Sequence, residues 1–155
     1  MATVPAWDFT VAETGIVAWL KALTQQGSGA WCRMVATRKD LAAVAEEAQK
    51  SPAVWVVYDG FVVVRANEFN ATLAHRWFVI LAVATAASQR DAEPLNDLAG
   101  PWLKQLFELF GYTPPGCSTP LVPATPPRPY FSPAKFAYYP LAFVTQSEHC
   151  AALHR

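Results

Sequence analysis

One stretch, Leu73 to Ala87 (LAHRWFVILAVATAA), restricts the folds open to this chain more than any other. At a spacing of two residues, Leu73, His75, Trp77, Val79, Leu81 and Val83 share one face, and Arg76, Phe78, Ile80, Ala82 and Ala84 share the other. From Trp77 onward both faces are apolar, the pattern of a central strand covered on two sides. A helix competes for the same residues, but the density of β-branched and aromatic side chains favours a strand.

The flanking segments predict what surrounds that strand. A helix is expected from about Val11 to Gln26, with Thr10 and Glu13 as a capping box, Ala12, Ile16, Trp19, Leu20 and Leu23 as its apolar stripe and Gly27 as its stop. Ala30 to Ala36 alternates as a short strand. Thr37 and Asp40 then read as the cap of a second helix with Leu41, Val44, Ala45 and Ala48 inward. Pro52 launches AVWVVY, and Asp59-Gly60 predicts a tight hairpin into FVVVR, because both turn positions favour positive φ. Asn67 to Asn70 turns the chain again, giving a meander of three antiparallel strands.

Asp91 to Phe110 is helical by spacing, with Leu98, Trp102, Leu106 and Leu109 on one side. Gly100-Pro101 either kinks this helix or opens a second one. Residues 112–134 then carry eight prolines, which predicts a stiff, extended arm whose Leu121, Val122, Tyr130 and Phe131 dock on something. Phe136 to Thr145 is a last strand, with Pro140 placing it at an edge or bulge. Residues 147–155 read as a flexible tail. The expected class is α/β of the α+β type: one domain over 1–155, with a mainly antiparallel mixed sheet of four to five strands. Two to three helices pack on one face, and the proline-rich arm is added to them.

Composition narrows function by exclusion. The 155 residues carry 12 Lys+Arg against 12 Asp+Glu, so no net field gathers phosphate backbones or anionic lipid, and neither nucleic acid nor membrane is an expected partner. No apolar run reaches the roughly 18 residues of a spanning helix. The first fifteen residues show no basic and then hydrophobic signal pattern, which points to synthesis in a reducing cytoplasm. Three dispersed cysteines, Cys32, Cys117 and Cys150, fit free thiols there. By contrast, 53% of residues are hydrophobic, with six Trp, nine Phe and five Tyr. A lone domain of this length has little interior for so much apolar surface, and the excess points to an interface.

Residues that carry chemistry do not assemble into a motif. His149, Cys150 and His154 are donors zinc prefers, but they sit on a terminal tail and the adjacent pair cannot easily meet one ion in tetrahedral geometry, so no metal is expected. His75 titrates near neutrality and is a conceivable general base. Beside Arg76 on a strand, with no nucleophile motif, it reads as structural. No nucleophile elbow, P-loop or dinucleotide-binding glycine pattern occurs, so no enzyme activity and no cofactor are expected. Cys32 falls in an apolar strand and reads as an inert thiol. Trp19, Trp55, Trp77, Phe78 and Trp102 occupy core positions. Trp7, Phe9, Tyr130, Phe131, Tyr138 and Tyr139 border irregular segments, where docking is the alternative to burial.

Three features taken together carry a family resemblance. A first helix ends near QQG; PAVWVVYDG leads through a second strand into RWFVILAVATAA; a helix closing on LFELFGYTPP precedes a proline-bearing stretch and the strand PLAFVTQSEH. Over roughly Ile16 to Glu148 the chain resembles the tail-terminator proteins of long-tailed bacteriophages and prophages, minor tail proteins of the U type. The proline-rich arm is longer here than the family pattern leads one to expect. The resemblance implies a structural virion protein assembled in the host cytoplasm. It implies a hexameric ring on the head-proximal end of the tail tube, which ends polymerisation and offers a head-joining surface. Implied partners are copies of itself, the tube protein and sheath or head-completion proteins.

A central strand apolar on both faces needs cover that neighbouring subunits or the proline arm can supply. Arg38, Arg65, Arg76 and Arg128 are the isolated charges placed to make register-fixing salt bridges at an interface, with Tyr130 and Phe131 on the arm. Two alternatives stay open at this point: a small-molecule or peptide binding module closed by the aromatic arm, and a hydrolase using His75 or Cys32.

Overall fold

The computed structural model describes residues 8–38, 50–84, 92–132 and 136–152. Its framework is a six-stranded mixed sheet with two helices. The elements in chain order are α1 (Phe9–Thr24), β1 (Met34–Arg38), β2 (Ala53–Ala66), β3 (Asn70–Ala84), α2 (Ala92–Leu106) with a 3-10 turn (Phe107–Leu109), β4 (Val122–Ala124), β5 (Tyr130–Phe131) and β6 (Phe136–Cys150). The strand order is β1-β2-β3-β6-β4, with β5 also on β6. Only the β1–β2 pair is parallel. The stretch that opened the sequence reading is therefore β3, in the middle of the sheet, as its two-faced apolarity predicts.

Each face of β3 feeds its own core. Trp77, Val79, Leu81 and Val83 pack with Ile16 and Leu20 of α1, Leu106 of α2 and Leu109 of the following turn. Phe78, Ile80 and Ala82 pack with Trp55, Val57, Phe136 and Tyr138 on the opposite side, where the described members all come from strands. Part of the cover on that side is the proline-rich segment, whose Tyr130 ring stacks on Tyr138 at 4.8 Å.

That segment is not a free arm. β4 and β5 pair with β6 (Val122 opposite Val144, Tyr130 opposite Tyr138), and Leu121 is fully buried in the first core. Proline forbids ladder donors only where a partner needs them. Pro140 lies between the part of β6 paired with β5, Ala137 to Tyr138, and the part paired with β4, Ala142 to Val144. β6 is thus an inner strand, not the edge strand expected, and Pro140 is tolerated because it falls in the gap between β5 and β4, where no partner strand needs its donor.

Asp59-Gly60 is not a turn. β2 runs straight through it, and the pairing with β3 steps from Tyr58 opposite Trp77 to Phe61 opposite His75, so two residues of β2 face Arg76 alone. This is a β-bulge, and Gly60 at φ 91 supplies the positive φ that the dipeptide also offers a turn. A second register shift falls between Val63 and Arg65. The chain reverses only at Asn67, whose side chain accepts from the N–H groups of Phe69 and Asn70. The expected three-strand meander is thus two strands of 14 and 15 residues.

Other boundaries shift for local reasons. Asp8, not Thr10, caps α1: its carboxylate accepts from the backbone N–H of Thr10 at 2.8 Å and from the Thr10 hydroxyl at 2.6 Å. Trp19 leaves the buried stripe and stacks on Tyr112. β1 continues through Thr37 and Arg38, so Thr37 is strand rather than cap, and the helix expected over Leu41 to Ala48 lies outside the described residues. α2 is one helix through Pro101; the carbonyl that proline leaves without a donor belongs to Asp97, and both residues are exposed. In α2 Ala99 is buried and Leu98 is exposed, reversing the expectation. Ser147 to Cys150, expected in a flexible tail, complete β6 against Asn70 to Leu73.

Candidate assembly surface

Beyond the helices the sheet continues as a three-stranded flap: the distal half of β2, the start of β3 and the end of β6. Phe61, Val62, Val63, Val64 and Phe69 are 48 to 66% exposed there. Alternation would hide every second residue, but neither face of this part of β2 is covered, so both sets of side chains meet water. Five large apolar side chains clustered on one protruding hairpin form the kind of patch that soluble monomers rarely keep without a partner.

A row of hydrogen-bonded polar side chains ties the flap to the body. On the helix-bearing side the core turns polar after Trp77. His75 is 0% exposed, and its Nδ1 lies 2.8 Å from the Tyr58 hydroxyl and its Nε2 2.6 Å from Ser147 Oγ. Ser147 Oγ also lies 2.8 Å from His149 Nε2. Burial, with His149 as a secondary cause, pushes the His75 pKa down to about 4, so the ring is neutral at physiological pH. Burial likewise holds the Tyr58 phenol protonated by raising its pKa to about 12. A self-consistent proton order follows: Tyr58 O–H donates to Nδ1, Nε2–H donates to Ser147, and Ser147 donates to His149. The His75–Ser147 contact is sealed from solvent, which makes it a structural pin rather than an attacking pair. Thr145, opposite His75, donates to the carbonyl of Thr119 and so ties the proline-rich segment to the same row.

The six interface candidates do not converge. Arg38 is buried at the end of β1, its guanidinium 4.4 Å above the Trp55 ring. Arg76 lies 3.6 Å from Asp59 in the bulge, donates to the Thr125 carbonyl at 2.9 Å and covers Phe78. It therefore locks the bulge to the segment after β4 within one chain. Arg65 on the flap lies 3.7 Å from Glu148, both side chains largely exposed, and Glu148 also accepts from Thr72 at 2.6 Å. Arg128 is exposed on the link between β4 and β5. Tyr130 stacks on Tyr138, and Phe131 packs against the first core. Only Arg65 belongs to the flap. Sequence reading missed the apolar flap because FVVVR was assigned as the inner partner of a hairpin. The signal was four consecutive apolar residues, Phe61 to Val64, followed by Arg65 and the turn ANEFN.

Among the described residues no group of three His, Cys, Asp or Glu side chains is placed to hold a metal ion. His149 turns to Ser147 while Cys150 lies 3.5 Å from Asn70 Oδ1, and His154 lies outside the described residues. Cys32, Cys117 and Cys150 are free thiols, and burial raises the pKa of Cys32. The depression beside Arg65, Asn67, Asn70, Thr72 and Glu148, about 330 Å³, is open to solvent, and its two charges already face each other. Among the described residues no helix is long and apolar enough to cross a membrane.

Residues 30–149 match the family model of the phage tail terminator protein. The match takes in β1 to β6 almost completely, including the whole flap, and the chain belongs to this family. No curated protein matches the chain.

Proposed function

From that membership, which makes the chain a structural component of a phage tail with a tail-terminating role, we propose that it acts as a ring of identical subunits on the head-proximal end of the tail tube. The ring ends tube polymerisation and leaves a surface on which the head, or head-completion proteins, join. Assembly takes place in the host cytoplasm, and a hexamer is the size that the resemblance implies. The observation that carries the reading is the flap, with Phe61, Val62, Val63, Val64 and Phe69 exposed on strands hydrogen-bonded into the body. Burial of such an apolar projection against another protein contributes about 25 cal/mol for each Å² removed from water, before the costs of association.

The test is co-assembly with the tail-tube protein, followed by electron microscopy of tube length and tube ends. Tubes that stop growing and carry a ring at one end are the expected result. A protein that stays monomeric by light scattering and leaves tube growth unchanged overturns the reading.

A further inference from the structure

Among the described residues, the flap ends in two margins that carry no partner strand. β1 covers the outer side of β2 from Ala53 to Val57, and β4 covers that of β6 from Ala142 to Val144. Ser118 and Thr119 extend this second cover through Gln146, whose carbonyl accepts from the Ser118 N–H and whose N–H donates to the Thr119 hydroxyl. No other described strand lies outside Val62 to Ala66 or outside Glu148. Protected sheet margins carry charges, prolines or covering elements, whereas this part of β2 has Arg65 as its one charge among four exposed apolar residues.

The two margins fit each other. β2 and β6 are both antiparallel to β3, so they run in the same direction. A rotation about an axis along the strands preserves that direction. It can lay the β6 margin of one copy against the β2 margin of the next as a parallel ladder. Contact between two different surfaces repeats head to tail until it closes as a ring. The bulges in β2 bend its margin, as a sheet curving round on itself requires. Charge agrees with direction: Arg65 stands opposite Thr72 and Thr72 opposite Glu148, so the three form one row across the flap. Adding a copy in that row sets its Glu148 beside Arg65, and the alternation of charges continues from copy to copy.

We infer that the flap is a strand-addition joint for a second copy of this chain, in which the β2 margin from Val63 to Ala66 receives the β6 margin from Ser147 to Cys150 of its neighbour. The inference rests on the ring reading above and deepens it by naming the surfaces that meet.

A disulfide reports the joint directly. Within one chain, positions 65 and 148 are two strand spacings apart, about 10 Å, beyond the roughly 7 Å that a disulfide spans. Across the joint they are one spacing apart, about 5 Å. The variant Arg65→Cys/Glu148→Cys, with Cys150→Ser to remove the neighbouring exposed thiol, is assembled with tail-tube protein, oxidised mildly and separated under denaturing, non-reducing conditions. The expected result is a ladder of multiples of the chain that reductant collapses, with each single-cysteine variant giving no ladder. Rings or capped tubes in the microscope without a ladder overturn the joint and leave the ring reading standing. Such a result assigns the β2 margin to another occupant, the tube protein first. Monomers alone, with tubes of uncontrolled length also for the unsubstituted protein, overturn the ring reading and the joint with it.

Discussion

The Tyr58 hydroxyl lies 2.8 Å from Nδ1 of His75, and this contact joins the body of the protein to its flap. Tyr58 is the last β2 residue before the bulge, and His75 faces Phe61, the first after it. The ring bridges a break in the ladder and is fixed on its other side by Ser147. Removing either hydroxyl leaves an imidazole nitrogen buried without that partner, which costs about 1–3 kcal/mol. Tyr58→Phe and Ser147→Ala are each expected to lower unfolding free energy by that amount in urea titrations. Their double variant is expected to lose less than the sum, because the two contacts share one ring.

The same imidazole sets an acid limb on stability. Its folded pKa, about 4, lies below the ordinary value of 6.5, so between these values the unfolded chain binds more protons than the native one. The contribution is complete above about pH 6.5, is lost as pH falls toward 4, and then levels off. The slope in that window is at most about 1.4 kcal/mol per pH unit. Glu13, whose carboxyl burial raises, acts in the opposite sense, so the comparison to make is with His75→Asn. Urea midpoints measured from pH 7.5 to 4.5 are expected to fall more steeply for the unsubstituted protein than for His75→Asn.

Three glycines separate space from backbone conformation. A Cβ at Gly100 meets nothing within 4 Å, so Gly100→Ala on the exposed side of α2 is expected to raise stability by about 0.5–1 kcal/mol. At Gly15 in α1 the same methyl lands 2.5 Å from Pro115 Cδ and 2.9 Å from the Tyr112 hydroxyl. The helix gain is reversed there, because the proline-rich segment lies directly on that turn, and Gly15→Ala is expected to destabilise by about 1–3 kcal/mol. Gly60 has open space but φ 91, so Gly60→Ala is expected to cost about 1–2 kcal/mol from strain alone. Thermal unfolding of the three variants checks the order Gly100→Ala above unsubstituted, with the other two below.

What the sequence made legible follows from how local each signal is. β3, α1, the buried side made by Leu106 of α2 and Leu109 of the turn after it, and the Asn67 reversal were readable because hydrophobic period and side-chain-to-backbone bonding act within a few residues. Asp59-Gly60 was misread because a positive-φ glycine serves a bulge as well as a turn, and only the partner strand decides which. The proline-rich segment gave its extended backbone but not its destination, since β6 offers it a site that no local feature announces. The arginines were chosen for isolation in sequence. Arg76 proves to be engaged within the chain, on Asp59, Thr125 and Phe78, while the apolar residues beside Arg65 are the ones left open.

Val62 and Val63 offer a test of the surface that leaves the body intact. Val62 stands opposite Ala74 and Val63 opposite Leu73, so they project to opposite faces of the flap, and both are more than half exposed. Neither contributes to the buried clusters, so Val62→Lys and Val63→Lys are each expected to change unfolding free energy by no more than about 0.5 kcal/mol. Lysine on an open margin disfavours strand addition from either face, because the incoming strand must desolvate an ammonium beside its own backbone. If the margin itself is the contact, both variants are expected to fold as stably as the parent and both to lose control of tube length in the co-assembly assay. If instead one face of the flap lies flat against a partner, only the variant on that face loses it. Comparing the two therefore distinguishes edge pairing from face docking in a single experiment.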